Sequence, residues 1–166
     1  MNSFPGHESD GVPQVKSATP TAKAPPLSPP DAEPEFHFPV RVYYEDTDAA
    51  GVVYYANYLR FLERARSEWL STRGFEVAAL ERGHGIAFVV RRVEVDYLRP
   101  ARLGDRLDVT FAIVEGRRSR LVARQRILRG AETLVDARVT VVCLDQASWK
   151  PVRIPTELLP HMENHA

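Results

Sequence analysis

The sequence predicts an α+β domain, one long helix packed on an antiparallel sheet. Two observations carry that expectation. Residues 56–73 place Leu59, Leu62, Arg66, Trp69 and Leu70 at helical spacing, and Tyr58, Phe61 and Ala65 broaden the stripe. Four later stretches, 86–100, 105–116, 118–129 and 132–145, alternate apolar and polar residues and are joined by short turn-like segments.

Taken in order, residues 1–35 hold eight of the thirteen prolines and one aromatic residue, Phe4. Such a stretch buries too little apolar surface to offset its ordering entropy, so a disordered, Pro-rich tail is expected there. Residues 36–166, about 130, are then the folding unit, an ordinary size for one core. Residues 36–44 alternate Val40, Val42 and Tyr44 with Arg41 and Tyr43, the pattern of a strand buried on one face. Residues 45–55 are rich in acidic and small side chains and read as a loop or bulged turn. Asn57 suits the helix N-cap and Gly74 its C-terminal stop. Glu63 with Arg66, and Arg64 with Glu68, are expected as ion pairs on the wet side. Residues 75–85 form a connector or short helix. In the strands, Leu107, Val109, Phe111 and Ile113 share one face, as do Leu121, Ala123, Gln125 and Ile127. The helix is the element available to cover one sheet face. Val93, Val95 and Tyr97 are expected on the opposite one.

Charge and composition exclude several classes. The chain carries 22 basic and 22 acidic residues. The tail is acidic and the remainder mildly basic, far short of a typical nucleic-acid-binding domain. No apolar run approaches the length of a membrane span, and the first residues, MNSFPGHESD, lack the pattern of a secretory signal. The single cysteine, Cys143, cannot pair within the chain, and a reducing, cytoplasmic compartment is expected.

Chemistry concentrates in Tyr43–Gly51, where Glu45, Asp46 and Asp48 precede the main helix. The plain reading is a polar loop with acids at a helix start. The functional one is a carboxylate at the core edge, raised in pKa by desolvation, facing N–H groups of a helix N-terminus able to hold a developing oxyanion. That pairing is the minimum for acyl hydrolysis. A metal at the Asp46-x-Asp48 pair is disfavoured, since no histidine lies nearby and hard cations need several oxygens. Cys143 sits in an alternating strand as a buried apolar residue. His84 stands in a connector without an evident partner. Arg117, Arg118, Arg120, Arg124, Arg126 and Arg129 face Glu115 as the only local acid. They read either as a charge-defended edge strand or, for Arg117, Arg118 and Ser119, as a landing site for phosphates.

Residues 40–66, VRVYYEDTDAAGVVYYANYLRFLERAR, resemble the signature of the 4-hydroxybenzoyl-CoA thioesterase family, most closely its YbgC branch of acyl-CoA thioesterases associated with the Tol–Pal envelope system. The likeness continues through 88–107 and 137–145 and spans nearly all of 38–155. It implies the hot-dog fold, a long central helix wrapped by a five- to six-stranded antiparallel sheet, and hydrolysis of an acyl-CoA thioester. It implies that Asp48 is the catalytic nucleophile or base, that the Tyr55 N–H polarises the thioester carbonyl, and that Tyr44 belongs to the site. The branch commonly has histidine where this chain has Tyr55. A backbone role survives that change, but tyrosine, with a reference pKa of about 10, is a poor base at neutral pH. Asp46 or Glu45 are alternative acids. Another hot-dog branch carries a helix glutamate, here Glu63, for which a surface ion pair is the plainer reading. The family uses an E-x-R-R-x-S hairpin near the nucleotide, and the similar hairpin here implies that role for Arg117, Arg118 and Ser119. The resemblance implies no cofactor, the coenzyme A thioester being the substrate, with acyl carrier protein as another carrier. It also implies a homodimer or homotetramer in which Asp48 and the arginine hairpin meet between protomers. The competing function is a non-catalytic hot-dog module that binds acyl groups or an envelope or lipid-synthesis protein.

Overall fold

The computed structural model describes residues 35–158. The tail expected over 1–35 lies outside the described residues apart from Glu35, which belongs to the fold: its carboxylate accepts a hydrogen bond from Arg126 Nη2 at 2.5 Å. Five strands, β1 (Phe36–Arg41), β2 (Ile86–Tyr97), β3 (Arg106–Arg117), β4 (Arg120–Arg129) and β5 (Glu132–Asp145), form one antiparallel sheet. Their order is β1-β3-β4-β5-β2, so β1 and β2 are its edges. Register shifts in β2 near Arg91 and in β3 near Val114 mark bulges, which increase twist and let the sheet curl.

Helix α1 (Tyr55–Ser71) lies against the sheet, and α2 (Val77–His84) follows. The helix cap is Tyr54, not Asn57. Val53 N–H bonds the Ala101 carbonyl, which keeps the backbone extended up to that point. Asn57 instead donates its side-chain amide to the Asp46 carbonyl at 3.0 Å, tying the acidic turn to the helix. At the other end Gly74 adopts φ +81°, and the Gly74 and Phe75 N–H groups return to the Ser71 and Leu70 carbonyls.

Tyr58, Phe61, Leu62, Ala65 and Trp69 are buried, as the periodicity predicts. Leu59 is exposed. The helix backbone lies close to β1, β3 and β4 and stands off from β5 and β2. One helix cannot cover a sheet of this breadth, so a strip of the inner face remains open along β2. Val93, Val95 and Tyr97 lie on this inner side, contrary to the sequence expectation. Val95 packs on the core cluster that includes Tyr58, and the Tyr97 ring sits 5.7 Å from that of Tyr58.

The expected Glu63–Arg66 surface pair is also corrected. Arg66 turns inward and donates from Nη1 to Oε1 of Gln125 at 2.9 Å. Gln125 is fully buried, and its amide donates to the Leu62 carbonyl. Burial lowers the Arg66 pKa, with Glu63 partly opposing. Nearer the helix start, the Tyr58 hydroxyl accepts the Ala101 N–H at 2.9 Å, both residues being buried. Tyr58→Phe strands that donor and is expected to cost about 1–3 kcal/mol. The measurement is a lowered urea midpoint at unchanged slope; an unmoved midpoint would remove the structural role.

Candidate active site

The acids before α1 have separate fates. Tyr44–Asp46 form one turn of 3₁₀ helix. Asp46 is 8% exposed. Its Oδ2 accepts the Tyr43 N–H at 2.8 Å, and its carbonyl accepts the Tyr54 N–H at 2.9 Å. Oδ2 and the carbonyl therefore hold the turn against the helix. Asp48 stands at the corner of a tight turn, where its carbonyl accepts the Gly51 N–H and its Oδ1 accepts the Ala50 N–H at 2.8 Å. Gly51 at φ +72° closes that turn, a conformation other residues rarely adopt. The second carboxylate oxygen of Asp48 has no hydrogen-bond partner among the described residues. The expected partial desolvation is not found in the protomer, since Asp48 is exposed. A turn long enough to reach the helix start projects beyond the core.

Tyr55 is the first helical residue, so its N–H has no acceptor within the helix. Beside it opens a cleft of about 280 Å³ lined by Val53, Tyr55, Tyr58, Tyr97, Leu98 and Arg99. The chain's six tyrosines all lie around this end or in the strand leading to it. The Tyr55 ring is 60% exposed, with the Tyr54 ring at 4.7 Å and Tyr97 at 6.4 Å. The Tyr97 hydroxyl donates to the Tyr55 carbonyl at 3.2 Å. Burial pushes the Tyr97 and Tyr58 hydroxyls up, away from any role as bases at neutral pH. Tyr44 is 82% exposed and does not line the cleft.

At the β3–β4 hairpin the charge is less lopsided than the local sequence suggests. Glu115 holds both Arg117 and Arg120, which lower its pKa. Arg124 pairs with Asp136, Arg126 with Glu35, and Arg129 with Asp105 and Glu132. Three of the partners, Glu35, Asp105 and Asp136, come from other segments and were invisible to local counting. Among the described residues, Arg118 has no ion pair. It lines a cleft of about 350 Å³ together with Arg91, Arg117, Ser119 and Arg120. Sequence reasoning missed Arg91. Its signal is the bulge in β2, which breaks the alternation there.

Asp48 and this basic cleft lie at opposite ends of the protomer. The loop following β1 meets the Arg106 end of β3, whereas the cleft lies at the Arg117 end, roughly 35 Å away for a twelve-residue strand. The other candidates take structural places. Cys143 is fully buried, and burial raises its thiol pKa. Glu63 accepts a hydrogen bond from Ser67, and His84 is exposed at the end of α2. Among the described residues, no group of histidine, cysteine and acidic side chains forms a metal site.

A long helix laid on a curled five-stranded antiparallel sheet, with an acidic turn at the helix start, defines a thioesterase of the hot-dog fold. The chain belongs to the thioesterase-like superfamily, whose family model matches residues 42–162. It is 47% identical over 125 residues to the acyl-CoA thioester hydrolase YbgC of Escherichia coli, covering 75% of this chain and 92% of that protein. It is 46% identical over 123 residues to the acyl-CoA thioesterase YbgC of Haemophilus influenzae, covering 74% and 90%. Among solved structures, a probable thioesterase from Bartonella henselae superposes with a TM-score of 0.71 at 39% identity, covering 74% of this chain and all of that one.

Proposed function

We propose that this protein hydrolyses acyl-CoA thioesters to a free acid and coenzyme A, with Asp48 as the catalytic carboxylate. The carrying observation is the difference in access within the acidic turn. Asp46 is nearly buried and braces the turn, while Asp48 stands exposed before α1, where a substrate can reach its carboxylate. The thioester carbonyl sits against the Tyr55 N–H, which stabilises the oxyanion. Asp48 acts as nucleophile, forming an anhydride that water then opens, or as base, taking a proton from the attacking water. In either course the thiolate leaves and is protonated.

The remainder of the site comes from a second copy. β2 is a twelve-residue edge strand carrying exposed Val90, Val93 and Tyr97, and long apolar edges pair. Antiparallel pairing of β2 with its copy brings the Tyr97 end of one strand beside the Phe88 end of the other. That arrangement places the Arg91, Arg117, Arg118 and Ser119 cleft of one protomer on the Asp48 side of its partner, and the arginines take the phosphates of coenzyme A. The functional unit is therefore a homodimer, alone or within a homotetramer. We further propose an association with the Tol–Pal system and a cytoplasmic location, with which a free, buried Cys143 is compatible.

Thiol release from acyl-CoA and from the matching acyl-pantetheine tests this reading. Arg118→Ala is expected to raise KM for acyl-CoA on the order of tenfold. The rate on acyl-pantetheine, which lacks the nucleotide phosphates, should not respond. Equal effects on both substrates would remove the phosphate role. An effect confined to acyl carrier protein thioesters would make the carrier protein the partner. No thiol release from any acyl-CoA would leave the binding-module reading.

A further inference from the structure

Beyond β5 the chain turns back on itself. Over residues 145–150 the Trp149 N–H reaches the Asp145 carbonyl at 2.8 Å, and the Asp145 N–H reaches the Lys150 carbonyl at 3.0 Å. Ser148 tightens the turn, donating from its backbone N–H and its hydroxyl to Oδ1 of Asp145 at 2.7 and 2.6 Å. Trp149 takes φ +55° here, the one positive φ outside glycine among the described residues. A bulky side chain is rarely found in that region. The ring is 65% exposed, and among the described residues no aromatic or cationic side chain stacks on it. A strained backbone that holds a large ring in water, with no packing to offset it, points to function rather than to the fold.

Two residues further on, Pro151 lines the basic cleft with Arg117, Arg118 and Ser119, and two residues span at most roughly 7 Å. Backbone pairing fixes the turn against the arginine hairpin. Pro151 bridges to Leu144, the Cys143 N–H bonds the Ser119 carbonyl, and the Ile154 N–H bonds the Arg118 carbonyl at 2.9 Å. We propose that the Trp149 ring is a stacking platform for the adenine base of coenzyme A while its phosphates occupy this cleft. The inference rests on the phosphate reading above and adds a base-binding residue to it. One ribose separates the base of a nucleotide from its phosphates, so a cleft that holds the phosphates needs its base platform alongside. Bases stack favourably on aromatic side chains because every base has a π-face. A cationic cleft beside an exposed indole therefore matches the anionic and the flat halves of an adenine nucleotide. Ring and cleft belong to the same protomer, so the platform does not depend on the second copy.

The test is equilibrium binding of coenzyme A, and of phosphopantetheine, which lacks the base, to the full-length protein. Trp149→Ala is expected to raise Kd for coenzyme A on the order of tenfold and to leave phosphopantetheine binding unchanged. Trp149→Tyr restores an aromatic face and should recover most of the affinity. Trp149 is the exposed one of the two tryptophans, Trp69 being buried. Coenzyme A is therefore expected to quench tryptophan fluorescence in the wild type and not in Trp149→Ala. Coenzyme A bound equally by the wild type and Trp149→Ala, but more weakly by Arg118→Ala, would overturn the proposal and leave the phosphate role intact. A loss in Trp149→Ala shared by phosphopantetheine would make the ring a support of the cleft and would also overturn it. ATP bound more tightly than coenzyme A would assign the platform to a free nucleotide and overturn its role toward the substrate. A wild-type protein that binds no coenzyme A would overturn both readings.

Discussion

Asp48→Asn is expected to lower kcat for acyl-CoA hydrolysis about 10²–10⁴-fold, the range for loss of a positioned acid–base group, without loss of fold. Asparagine is nearly isosteric, and its side-chain oxygen can still accept the Ala50 N–H that Asp48 Oδ1 accepts now. The turn closed by Gly51 is retained, and only the charge and basicity disappear. Asp46→Ala is the informative contrast. It removes the acceptor of the Tyr43 N–H from a nearly buried position and is expected to cost about 1–3 kcal/mol of stability. Thiol release and denaturant unfolding on both variants separate the two roles. Equal turnover by wild type and Asp48→Asn would defeat the catalytic assignment. A rate loss in Asp46→Ala larger than that of Asp48→Asn, with the fold unperturbed, would move the assignment to Asp46.

Apart from the family resemblance, nothing in the residues themselves divides those two acids. Both are short carboxylates two positions apart in one loop, with the same local preferences. What separates them is Tyr54 and Asn57, whose donors reach back to the Asp46 carbonyl once the helix has formed. The long periodic elements were readable because a helix or strand with one buried face repeats its burial along the chain. The helix cap lies three residues before the expected one, since Asn57 has the chemistry of a cap but spends it on the acidic turn. The arginine hairpin was misread for a related reason. A charge count along one segment cannot include Glu35, Asp105 or Asp136, which the sheet brings alongside. The breadth of the sheet relative to the helix escaped the sequence too, and from it comes the open strip along β2.

Gln125 shows how a pattern can be legible while its meaning is not. Its place in the row Leu121, Ala123, Gln125, Ile127 predicts an inward side chain, yet alternation does not explain an amide there. The structure supplies the reason: Gln125 is the acceptor for the inward-turned guanidinium of Arg66. Gln125→Leu keeps the volume and removes the acceptor, leaving a partly desolvated cation with only the nearby Glu63 charge to favour it. The expected loss is about 2–4 kcal/mol, because hydrogen bonds to charged groups are strong and a stranded buried donor bears its full desolvation cost. Arg66→Met alone should cost less, since a neutral amide tolerates losing one donor while its own bond to the Leu62 carbonyl persists. The double variant should recover much of the Gln125→Leu loss, because an apolar pair restores matched packing. Urea unfolding of the four proteins gives the coupling energy directly, expected at about 1–3 kcal/mol. Additive losses would mean that the Arg66–Gln125 bond is geometric coincidence. A real coupling would show that the inward-turned Arg66 is held in place from the sheet.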